Sequence, residues 1–132
     1  MALVRAYLAA AVGMAILDML WLGVVAKGLY RRDLGHLMAP EVRWWAAVLF
    51  YLVYAGGIVH FAVRPALAKG GPRDAARGGA AVGLLVYAVY DLTNLALLRG
   101  WTVRISVLDV VWGGAATAAV AAAAYAAAAT RR

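Results

Sequence analysis

Apolar windows of roughly 20 residues, the length a helix needs to cross a bilayer, recur four times in this 132-residue chain. They fall at about residues 3–26, 44–63, 76–98 and 106–129. The runs are continuous rather than alternating, which fits spanning helices and not a membrane β-barrel. Hydrophobic residues make up 67% of the chain and charged residues only 14%, where a soluble domain carries roughly a quarter charged residues. Little is left for a soluble unit. Residues 1–132 are therefore expected to form a single all-α membrane domain, a bundle of four transmembrane helices. The first window follows Arg5 and could be mistaken for a secretory signal. It runs too long, holds Asp18 and Trp21, and leads into a basic loop, so an uncleaved first helix is expected.

The connections have distinct characters. Residues 27–43 mix Tyr30, Arg31, Arg32, Asp33, His36 and Glu41 with Leu29, Leu34, Leu37 and Met38. That mixture predicts a short amphipathic segment at the interface between helices one and two, ended by Pro40. Helix two should start at the interfacial pair Trp44 and Trp45 and stop at Arg64 and Pro65. The run Lys69-Gly70-Gly71-Pro72 signals a turn within a second loop over 66–75. The short 99–104 loop makes helices three and four an antiparallel hairpin. Gly79 and Gly83, Gly56 and Gly57, and the Ala-rich stretch from Ala115 onward should let helices approach closely.

Charge narrows the partners. The net charge is +7, and once the three acids in the spanning windows are set aside the 13 Lys and Arg face only Asp33, Glu41 and Asp74. Anchoring on anionic lipid headgroups is the expected role of that excess. A phosphate-bearing ligand at the surface is the sharper reading, with Arg31, Arg32, His36, Arg99 and Arg104 as its candidates. Nucleic acid is not expected, because the basic residues are divided among short loops on both sides. Counting Lys and Arg, the side of the termini and second loop has seven and the other side six, which leans the termini toward the cytoplasm. With no cysteine, disulfides, thiolate metal sites and cysteine nucleophiles are excluded.

Asp18, Asp91 and Asp109 lie inside the apolar windows, half of the six acids in the chain. An ionisable side chain there costs about 3 kcal/mol or more, and such groups commonly mark function. At 1.5 Å per residue, Asp18 lies about 12 Å and Asp91 about 10 Å from the ends that meet loops one and three. Asp109 is three residues into helix four, next to loop three. All three should occupy the same half of the bilayer. Each also has company on its own face: Tyr87, Asp91 and Asn94; Ser106, Asp109 and Trp112; Asp18 and Trp21. The pattern Leu-Asp-x-x-Trp occurs twice, at Leu17 to Trp21 and Leu108 to Trp112.

Structural roles are available too. Asp109 could serve the helix N-terminus, and Asp91 with Asn94 could form an interhelical clasp. Three acids in one leaflet favour a polar site instead, built from Asp18, Asp91, Asn94, Asp109, Tyr87, Trp21 and Trp112. Clustered carboxylates in low dielectric cannot all ionise without a cation. Tyr51 and Tyr54 reach mid-depth on helix two and could complete the pocket, Tyr90 flanks Asp91 on another face, and His60 falls toward the opposite side. No zinc-protease, hydrolase-elbow or P-loop motif is present, so no catalytic residue and no metal ligand is assigned.

The stretches Leu17-Asp18-x-x-Trp21-Leu22-Gly23, Tyr30-Arg31-x-x-Leu34-Gly35-His36-Leu37-Met38 and Phe50-Tyr51 with Gly56-Gly57-Ile58 carry a family resemblance. So do Phe61-Ala62-Val63-x-Pro65-Ala66-Leu67, Tyr87-x-x-Tyr90-Asp91-Leu92-Thr93-Asn94 and Asp109-x-x-Trp112-Gly113. On these residues the chain resembles the domain of unknown function 2177 family, over nearly its whole length. The resemblance implies a small bacterial four-helix integral membrane protein, without an assigned activity.

Three functions remain open at this point. A proton- or cation-coupled carrier, or a small-ligand binding protein, would use Asp91 as coupling group with Asp18 and Asn94, and four helices would call for a homodimer. A membrane-embedded enzyme acting on a lipid or isoprenoid could hold Mg²⁺ on Asp18, Asp91, Asn94 and Asp109, or protonate a polyene from an Asp; only this alternative needs a cofactor. An accessory subunit would use the acids as clasps alone.

Overall fold

The computed structural model describes residues 1–38, 41 and 43–130. Among the described residues, four helices are long and apolar enough to cross a membrane: Ala2–Val25, Trp44–Lys69, Pro72–Leu97 and Val103–Ala129. The first consists of α1 (Ala2–Leu20) continued by a π-helical turn, Trp21–Val25. Next comes the short α2 (Lys27–Leu34) with a 3₁₀ turn, Gly35–Leu37. The second span is α3 (Trp44–Ile58), a π-helical turn Val59–Val63 and α4 (Arg64–Lys69). The long helices α5 (Pro72–Leu97) and α6 (Val103–Ala129) complete the chain. Pro40, expected to end the interfacial segment, lies outside the described residues.

Three boundaries differ from the sequence reading, each for a local reason. The second span does not stop at Arg64 and Pro65. The π-helical turn absorbs the backbone bond that proline cannot donate, and Pro65 then sits in the first turn of α4, where its missing N–H costs nothing. Helix α5 starts at Pro72, because the Asp74 carboxylate accepts the Gly71 amide at 2.9 Å. Helix α6 starts at Val103, because Thr102 Oγ1 accepts the Ile105 amide at 3.2 Å.

Helix α6 is the packing centre, against α5 on one side and α1 on the other. A Cβ added to Gly79 would collide with Thr117 and Ala121, and one added to Gly83 with the Gly113 backbone, so the α5–α6 backbones meet at the step Gly79 and Gly83. Gly56 and Gly57 do not form the second close surface. A Cβ added to Gly57 would meet nothing within 4 Å and one added to Gly56 only Tyr7 at 3.9 Å, while Gly78 is the residue that sits on Ala62. Helix α1 runs antiparallel to α6. The Arg5 guanidinium donates to the carbonyls of Ala127 and Ala128 at 3.0 and 3.2 Å, neutralising the negative end of α6.

The second span is packed only in part. Tyr54, Ala55, Ile58, Val59, Ala62 and Val63 are buried, whereas no residue from 44 to 53 is. The N-terminal half of α3 is therefore only loosely packed, held to α1 through Tyr51 at its inner end. This loose packing leaves a cavity on the side of loops one and three.

Candidate functional site

Helix α2 forms one wall of that opening. Its residues Tyr30, Asp33 and Leu34 are buried, at the i, i+3, i+4 spacing that places them on one face. Asp33, counted above with the exposed acids, is in fact buried against α6. It takes a two-pronged ion pair from Arg104 and a 2.8 Å hydrogen bond from the Thr102 hydroxyl. The Arg104 hydrogen bonds hold its carboxyl down at about 2, against an opposing effect of burial. Gly100 closes the same corner. Its φ of +96° suits glycine, and a Cβ there would strike the His36 ring. Loops one and three are thus tied together, as placing all three acids in one leaflet requires.

Asp18 and Asp109 share the cavity wall. Asp18 Oδ2 accepts the Tyr51 hydroxyl at 2.8 Å, and Oδ1 accepts the Trp112 indole N–H at 3.1 Å. Asp109 Oδ1 accepts the Tyr30 hydroxyl at 2.7 Å, and that hydroxyl accepts the Trp21 indole N–H at 3.2 Å. The Trp21 and Trp112 rings stack at 4.6 Å and 8°. The two Leu-Asp-x-x-Trp segments therefore serve each other. The tryptophan of the second donates to the acid of the first directly, and the tryptophan of the first reaches the acid of the second through Tyr30. Burial raises the Tyr30 phenol above its ordinary value, with the Asp109 charge adding to the effect, so it remains a neutral donor.

Asp91 lies behind this wall with no exposed surface. Among the described residues no hydrogen bond of ordinary geometry reaches either of its oxygens; the group they face is the Asp109 carboxyl. A buried carboxyl without donors is costly unless a proton or a cation accompanies it.

The other candidates divide. Tyr87 stands on the cavity wall, its ring filling the space that a Gly113 side chain would need. Asn94 does not join the acids. It is half-buried and pairs with Tyr90 one turn back, so the expected Tyr87, Asp91 and Asn94 stripe splits. Ser106 serves the start of α6, donating to the Thr102 carbonyl and accepting from Trp101. Tyr54 bonds Thr117 at 2.7 Å rather than an acid. Arg31, Arg32, His36 and Arg99 are exposed and do not line the cavity, while Arg104 is engaged by Asp33. His60 neighbours Arg64 on the second span, well away from the acids in the chain's order and outside the cavity.

Tyr30, Trp101 and Phe50 line the cavity without having been singled out as site residues. Tyr30 and Phe50 were visible only as motif residues; Trp101 carried no signal. Thr117 is the remaining polar surprise, an isolated hydroxyl in an alanine stretch.

The cavity measures about 780 Å³, within the roughly 300–1,000 Å³ of small-molecule sites. Fold and site together define a multi-pass helical membrane protein with an acidic, aromatic cavity in one half of its spans. The chain belongs to the family described as predicted membrane protein (DUF2177), which it matches over residues 3–126. No curated protein and no solved structure matches it.

Proposed function

We propose that the cavity binds a small ligand and that binding is linked to a proton or cation held by Asp91 and Asp109, as in a coupled carrier. The observation that carries this reading is Asp91. It is wholly buried, its oxygens have no donor, and it faces a second carboxyl that lies on the cavity wall. A structural clasp would pair Asp91 with a donor. Here a labile proton or cation is what balances the charge, and a ligand reaching Asp109 would displace it. Tyr30 from α2, Tyr87 and Tyr90 from α5 and Asp18 from α1 are other ionisable groups whose charge or hydrogen bonding bears on this pair.

In this reading the protein works in a bacterial cell membrane with its termini in the cytoplasm, among anionic headgroups bound by the exposed arginines. A second copy would complete a pathway that four helices are too few to enclose. The metal-dependent enzyme reading draws less support. Both Asp18 oxygens already accept hydrogen bonds, from Tyr51 and Trp112, which a Mg²⁺ ligand role for Asp18 would have to break.

The test is pH-difference infrared spectroscopy on the protein in lipid. A protonated-carboxyl band that titrates across the physiological range in wild type and is missing in Asp91→Asn is expected. If no carboxyl band titrates, or if Asp91→Asn leaves the titrating band unchanged, the coupling role of Asp91 is wrong. Lipid extracts from cells expressing either form would separately reveal an enzyme, as a lipid made or consumed only by wild type.

A further inference from the structure

Taking the cavity as the binding site, the reading on which this inference rests, we infer that its ligand is a lipophilic organic cation that enters from the bilayer beside α3.

The lining selects the charge. Asp18 and Asp109 stand on the wall, and no Lys or Arg is among the described lining residues. Tyr51, Trp112 and Tyr30 present neutral hydrogen-bond donors to those carboxyls, so no basic side chain on the wall balances the charge that a ligand uncovers when it displaces the proton or cation of the Asp91–Asp109 pair. An anion inside would meet two acids and no countercharge. A fully apolar guest would strip water from the acids without replacing it.

The lining also selects the kind of cation. Trp21, Trp112, Trp101, Tyr87 and Phe50 present aromatic rings around the space. Ring faces attract soft, weakly hydrated cations such as quaternary ammonium or phosphonium groups. A small metal ion needs converging oxygen ligands instead, and a space of about 780 Å³ is far larger than one.

The route follows from packing and charge. Ala46, Ala47 and Phe50 of α3 line the cavity and no residue of 44–53 is buried, so α3 is a thin wall whose outer face would meet acyl chains in a bilayer. On α2 and the connection after α5, Arg31, Arg32 and Arg99 are exposed, a positive charge on this end of the molecule that disfavours a cation arriving from water. A cation with apolar substituents concentrates in the membrane and avoids that charge.

Tetraphenylphosphonium and tetraphenylborate, nearly equal in size and opposite in charge, provide the test. Their binding to purified protein in an uncharged detergent is measured by equilibrium dialysis, with quenching of tryptophan fluorescence as a site readout. The phosphonium should bind at least about tenfold more tightly than the borate, and Asp18→Asn or Asp109→Asn should remove most of that preference. Equal binding, preference for the borate, or binding of neither ion overturns the cation assignment. The wild-type comparison stands even where a variant fails to fold. Phosphonium selectivity in a protein whose carboxyl band does not titrate would sink the proton-linked reading and keep the ligand class. A titrating band without ion preference would do the reverse.

Discussion

The indole N–H of Trp112 donates to Asp18 Oδ1 at 3.1 Å, across α6 and α1, which are 94 positions apart at these residues. The bond fixes one rim of the cavity, and the stacked Trp21 ring holds Trp112 in the orientation that makes it. Trp112→Phe keeps a stacking ring and removes the donor. It should cost about 1 kcal/mol of stability, the scale of an interhelical hydrogen bond in a membrane protein. Unfolding in detergent followed by tryptophan fluorescence would check the loss, and an unchanged midpoint would deny the bond any weight.

Asp91→Asn should behave in the opposite sense. Among the described residues both Asp91 oxygens lack donors, so replacing the acid by an amide removes the need for an accompanying proton or cation without taking a hydrogen bond from a neighbouring donor. Stability should stay level or rise by about 1 kcal/mol, while ligand-linked proton release disappears. Thermal unfolding and proton release in weak buffer, read on the same preparation, would show the two effects apart. A strong loss of stability would instead identify Asp91 as a clasp.

Acid should loosen the junction of α2 with α6. The Asp33 carboxyl is held at about 2, below its ordinary 3.8, first by the Arg104 hydrogen bonds. A depressed acid contributes its stability fully above the ordinary value and loses it as pH falls through the lowered one. The contribution should therefore be intact above about pH 4 and fade toward pH 2. Asp33→Asn should lack this component of the acid dependence while being less stable at neutral pH. Melting temperatures over that acid range would distinguish the two forms.

Overpacking should separate functional glycines from incidental ones. Gly83→Val pushes a side chain into the Gly113 backbone and should cost at least about 2 kcal/mol. Gly57→Ala meets open space and should change stability by less than about 0.5 kcal/mol. Equal effects at the two positions would overturn the assignment of the α5–α6 contact.

Much of the site was legible because it depends on cost. An acid in an apolar helix is conspicuous whatever it touches, so Asp18, Asp91 and Asp109 stood out, and counting residues from the loops placed them at one level. The Leu-Asp-x-x-Trp repeat could be read as well, though its cross-service through Tyr30 could not. Asp33 went the other way. In a basic loop an acid looks solvated, and only the approach of Arg104 from 71 positions later takes it out of water. Gly56 and Gly57 looked equivalent to Gly79 and Gly83, yet glycine spacing marks a face that can approach another helix without saying which helix is there.

Four long apolar windows determined by themselves that the chain spans a membrane four times, because backbone and side chains in hydrocarbon admit few other solutions. The same constraint exposed the buried acids. Only the tertiary structure decided which donors those acids receive, that Asp91 receives none, and that the N-terminal half of α3 leaves a cavity beside them. Those outcomes depend on how far each helix leans and turns against its neighbours. Packing between helices sets that geometry, and hydropathy along a single helix does not carry it.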